Sequence, residues 1–163
     1  MPSPSELLAL IPALYLLAVA WPLAVIDLRE HRLPNRLVLP AYPIALVSQL
    51  VATIISMDWA RFLVCVLCSL VVLVIGIFAN HFDVLGMGDV KLAGALALIL
   101  GYFNIYLPIV AIGIAFVLAF GVILVLLTRG KVSLGTSIPL GPYLLLSFIG
   151  TCSYWLVTHS AWS

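Results

Sequence analysis

Residues 59–79 read WARFLVCVLCSLVVLVIGIFA, an apolar run of 21 positions whose one charge is Arg61, near its start. A run this long and continuous is a helix built to cross a bilayer, because about 20 apolar residues span the hydrocarbon core. A lipid-facing barrel strand would alternate in polarity, and these residues do not. Similar runs lie at 5–27, 37–55, 105–128 and 138–158, with a shorter one at 84–101. The expected fold is all-α, a polytopic membrane protein of about six transmembrane helices forming a single membrane domain over 1–163. Composition agrees, with 65% hydrophobic and 8% charged residues where soluble domains carry roughly a quarter charged. A net charge of +1 provides no clustered basic face, so no nucleic-acid partner is expected.

Positive charge sets the expected orientation. With the N-terminus outside, the inner loops at 28–36, 80–91 and 128–137 hold Arg29, Arg32, Arg36, Lys91, Arg129 and Lys131, and Arg61 alone lies opposite. Both termini are then outside and both loops that follow the first and third helices are cytoplasmic. The start MPSPSELL lacks the positive region of a secretory signal, so the first run is expected to stay as a helix. Pro12, Pro22, Pro40, Pro43 and Pro108 fall in or near the runs, where proline is expected to kink or shorten helices.

Two carboxylates stand at junctions between apolar runs and polar segments. Asp27 follows Ala24-Val25-Ile26, where a side chain with no task could more cheaply be Asn or Ser. Asp89 closes Gly86-Met87-Gly88-Asp89, whose glycines permit close backbone approach; as a plain alternative, Asp89 could simply cap the next helix. The inner-loop topology places both at one depth. Leu33-Pro34-Asn35 is expected to turn the chain, with Asn35 capping the second helix, while Arg29, Glu30, His31, Arg32 and Arg36 fix topology. Lys91 could anchor the membrane edge or partner a carboxylate. His81 with Asp83 offers too few ligands for a metal, and Cys65, Cys68 and Cys152 lie in apolar runs without a second shell. No metal or other cofactor is expected.

Taken together, Asp27 with Pro34-Asn35 seven residues on, then Gly86-Met87-Gly88-Asp89-Val90-Lys91-Leu92, then Ile138-Pro139-Leu140-Gly141-Pro142-Tyr143, resemble the type IV prepilin peptidases, intramembrane aspartyl proteases with a Gly-x-Gly-Asp signature. The resemblance runs from about residue 14 to 146. It implies that Asp27 and Asp89 are the catalytic pair, that Gly86, Gly88, Lys91, Pro34, Asn35, Pro139, Gly141 and Pro142 support the site, and that the substrate is a prepilin or pseudopilin helix in the membrane, cleaved at the cytoplasmic face of the inner membrane. Larger members carry a Cys-x-x-C domain linked to N-methylation before the first aspartate. This sequence goes straight into Asp27, and so is similar to compact, peptidase-only members of Flp/Tad pilus systems. Two close carboxyls in a poorly solvated site should share one proton, one acting on water and the other on the scissile carbonyl. A proton-relay transporter or a non-catalytic assembly factor for a pilus or secretion machine are the other readings of such carboxylates.

Overall fold

The computed structural model describes residues 3–30, 32–130 and 139–161; His31, Lys131 and Ile138 lie outside that set. Eight helices follow in order: α1 (Pro4–Ala9), α2 (Ile11–Glu30), α3 (Asn35–Val38), α4 (Ala41–Ser56), α5 (Trp59–His81), α6 (Met87–Gly101), α7 (Tyr106–Thr128) and α8 (Gly141–Ala161). Because α1 leads straight into α2 and α3 into α4, they form six helical rods, as the apolar runs indicate. Four stretches, Pro4–Glu30, Asn35–Ser56, Trp59–His81 and Tyr106–Thr128, are long and apolar enough to cross a membrane. Among the described residues there is no strand.

The prolines behave differently from expectation. Pro12, Pro43 and Pro108 sit in the first turns of α2, α4 and α7, where a backbone N–H has no intrahelical partner to lose. Pro40 is the residue at the cap of α4. Of the five, only Pro22 lies in a helix interior, so the ends of helices, more than their middles, are what these residues shape.

The organising element is α6. It has 15 residues, and Leu92 and every position from Gly94 to Gly101 are buried. A helix that is apolar all round belongs inside a bundle, and α6 packs against α4, α5, α7 and α8. Side chains from neighbouring helices also take its backbone carbonyls. Tyr42 Oη donates to the Lys91 carbonyl at 2.7 Å, Ser69 Oγ to that of Gly94 at 2.9 Å, and Gln49 Nε2 to those of Leu98 and Ile99 at 3.1 and 3.4 Å. Gln49 in turn accepts from the Cys65 thiol. In a bilayer the apolar side chains of α6 gain little by leaving lipid, so close packing and these interhelical bonds hold it. On α7 the buried positions Leu107, Ala111, Ala115 and Ala119 recur every fourth residue, a small-residue stripe that lets a neighbour come close.

A charged cluster closes one end of the bundle. Glu6, nine-tenths buried, lies 3.6 Å from Arg61 Nη1 and 3.5 Å from His159 Nε2, and Arg61 Nε pairs with Asp58 at 2.9 Å. This joins α1, the start of α5 and the end of α8. The C-terminal end of α2 and the N-terminal end of α6 therefore meet at the opposite end.

Candidate active site

Asp27 occupies the last turn of α2 and is 3% exposed. Its Oδ2 accepts a hydrogen bond from the backbone N–H of Gly141 at 3.0 Å. Gly141 is the first residue of α8, so its N–H has no partner within the helix and points outward from the positive end of the helix dipole. The approach leaves no room for a side chain: a Cβ on Gly141 would lie 2.5 Å from Asp27 Oδ2. The sequence places a glycine there because the carboxyl occupies that space.

Asp89 is in the first turn of α6, behind a cap formed by Gly86 with extended backbone. It is not itself the cap, as the plain alternative had it, although a carboxyl in the first turn still meets the positive end of the helix dipole. Its Oδ1 is buried and has no hydrogen-bond partner among the described residues, a state that native structures seldom leave without a reason. The two carboxyls are near enough to act on each other through their charge.

Leu33 sets the spacing between the parts. Buried just before the turn at Pro34, it lies where a Cβ on Gly88 would sit 2.9 Å from its own Cβ, and its Cδ2 would be 3.3 Å from a Cβ on Gly141. Gly88 is helical, so close approach and not an unusual φ is what demands glycine there. On the other flank Lys91 Nζ donates to Asn35 Oδ1 at 3.1 Å, tying α6 to α3. Asn35 thus does not cap its helix, as the turn chemistry suggested. Pro34 takes that position with no side-chain bond, and the Asn35 amide is committed to a lysine 56 residues away.

Asp27, Asp89, Gly86, Gly88, Asn35 and Lys91 line one cavity of about 320 Å³ together with Arg32, Leu33 and Met87. Gly141 reaches the site through its N–H. Pro34, Pro139 and Pro142 are not on the cavity lining: Pro34 and Pro142 shape the starts of α3 and α8, and Pro139 is a half-buried residue just ahead of α8. Arg32 and Leu33 are the residues that sequence reasoning passed over. Arg32 looked like one more topological charge, and nothing in the pattern distinguishes Leu33 from any residue before a proline.

A second cavity, of about 510 Å³, lies between α5, α6, α7 and the start of α8. Asp89 lines both. A polar recess and an apolar one therefore meet at a single residue, Asp89, an arrangement able to hold water on one side and an apolar chain on the other. Exposed His81 ends α5 and exposed Asp83 lies in the turn after it, and among the described residues no group of three or more His, Cys, Asp or Glu side chains gathers as a metal site.

A model of the type IV leader peptidase family matches residues 14–128, a span that holds both aspartates and the glycines before Asp89. No curated protein and no solved structure matches the chain.

Proposed function

The chain belongs to the type IV leader peptidase family, and from that premise we propose that this membrane-embedded peptidase is an aspartyl protease whose catalytic pair is Asp27 and Asp89. The observation that carries the reading is their convergence, from residues 62 positions apart in sequence, on one cavity where Asp89 keeps a buried oxygen without a hydrogen-bond partner among the described residues. With one proton between them, one carboxylate takes a proton from water as the water attacks the scissile carbonyl, and the protonated carboxyl polarises that carbonyl by donating to its oxygen. On collapse of the tetrahedral intermediate the leaving amine takes a proton back from the pair. Gly141 holds Asp27 in place by its N–H, and Leu33 keeps the α2–α3 turn seated against Gly88.

The substrate of such an enzyme is a prepilin. We place the pair at the cytoplasmic face of the inner membrane, removing a short basic leader from Flp-type prepilins or pseudopilins ahead of their hydrophobic helix, with no methylase domain set between the first helix and Asp27. The basic loops on that side and the direct passage from the first helix into Asp27 support this.

The test is leader removal from a prepilin by the purified protein in detergent. Asp27→Asn and Asp89→Asn should each stay folded and lose at least about a thousandfold in rate, and the double variant should be no worse than either single one, because the two groups act as a unit. Near-normal cleavage by either single variant would end the aspartyl reading.

A further inference from the structure

The apolar cavity needs an occupant that explains why it adjoins Asp89. Its lining from α5, α6 and α7 includes Ile75, Gly76, Val90, Ala93, Gly113 and Phe116, and Asp89 is the only polar side chain among the described residues that border it. The recess itself is almost wholly apolar, so its position beside Asp89 and not a polar contact inside it selects the occupant. A lipid acyl chain there has no part in a reaction at Asp89. A peptide held for cleavage by that residue must lay the side chains next to its scissile bond against this wall, and apolar ones fill it.

Access fits the same occupant. Ile75, Ile109 and Phe116 are exposed at 63%, 66% and 44%, so the recess opens sideways between helices toward the bilayer. A cavity of about 150 Å³ accommodates a benzene-sized group, so 510 Å³ gives room for the apolar side chains of about one helical turn. On α7, Gly113 borders this space, and a Cβ built on it would meet nothing within 4 Å. Packing does not require glycine there, in contrast to Gly76, whose Cβ would lie 2.6 Å from Val90 Cγ1.

We propose that the cavity between α5, α6 and α7 is the subsite for the apolar residues that follow the scissile bond, and that Gly113 and Phe116 set the size of the first of them. This rests on the reading of Asp27 and Asp89 as the cleaving pair. The bond to be broken lies over the boundary between the two cavities, with the leader side on the polar recess that holds Asp27 and the apolar residues after the bond in the recess with Gly113. A side chain added at position 113 grows into the subsite, and removing the ring of Phe116 widens it.

Two prepilin substrates differing only in the residue just after the cleaved bond, Ala or Phe, separate the possibilities. Gly113→Phe should lower kcat/KM for the Phe substrate by about tenfold or more, the range that a missing or blocked side-chain pocket supplies, and leave the Ala substrate within about twofold. Phe116→Ala should shift the preference the other way, toward the larger residue, so a folding defect in one variant does not decide the matter. Equal loss on both substrates, or no change on either in both variants, overturns the subsite; the second result would leave the recess to lipid. Asp89→Asn run beside them reports on the pair alone: if it still cleaves both substrates the catalytic reading has failed, whereas if it is silent while the 113 and 116 variants show no selectivity only the subsite has failed.

Discussion

Gly141 and Gly88 carry the tightest constraints at the candidate site, and for the same reason. Each brings backbone against a neighbour at a distance no Cβ tolerates, Asp27 Oδ2 in one case and Leu33 Cβ in the other. Gly141→Ala must push the Asp27 carboxyl aside or lengthen its hydrogen bond, and Gly88→Val must displace Leu33 and with it the turn that follows Asp27. Both should cut leader removal by about tenfold to a hundredfold, the effect expected when a reacting group is misplaced by about 1 Å. Gly121→Val, where nothing lies within 4 Å of the added atom, should leave the rate within about twofold; comparable losses at all three positions would show that the contacts at 88 and 141 have no special role. Sequence alone could mark the Gly-x-Gly-Asp turn and the Pro139–Pro142 segment as important. It could not assign their tasks, because the space that forbids a side chain at 141 is filled by a residue 114 positions earlier.

The helices themselves were legible from the apolar runs to within a few residues, and the exceptions have local causes. The fourth run begins at Val84, yet α6 starts at Met87. Val84 and Leu85 belong instead to a turn held by Asn80 Nδ2 donating to the Leu85 carbonyl at 2.7 Å, with Asp83 at φ 58°. Which face of each helix meets which neighbour was not legible, since α6 is apolar on every side and offers no stripe to read. What fixes its depth is the set of side chains reaching its carbonyls from α4 and α5. Gln49 makes two of those bonds from a fully buried position, and at about 0.6 kcal/mol for an average interhelical bond in a membrane protein Gln49→Leu should destabilise the bundle by about 1 kcal/mol. Thermal unfolding in detergent would read this as a lower midpoint, and an unchanged or raised midpoint would show that the Gln49 network contributes nothing to stability.

Across the whole molecule the two polar ends differ in character, one a cluster of Glu6, Arg61, Asp58 and His159, the other the cavity of Asp27 and Asp89. The proposal that the second faces the cytoplasm rests on the distribution of Arg and Lys. In a variant with Cys65, Cys68 and Cys152 replaced, a cysteine at position 57 should react with an impermeant thiol reagent from outside, and one at position 32 should be protected until the membrane is opened; the reverse pattern would turn the enzyme over. The shortness of α6 has a consequence for the two ends of the bundle. Fifteen residues at about 1.5 Å each make a rod of about 22 Å, against roughly 30 Å of hydrocarbon, and the shortfall lies at the Gly101 end: Val90 is level with Gly76, near the end of α5, whereas Gly101 is level with Cys65 and Cys68, well past its start. Asp89 therefore stands close to the rim on its own side, and α6, wrapped by its neighbours, presents little of its short length to lipid. In vesicles made from phosphatidylcholines of increasing acyl length, cleavage should stay within about twofold, because thickness mismatch acts on lipid-facing helices; a steep fall as the chains lengthen would show that the carboxyl is reached from deeper in the membrane than its neighbours place it.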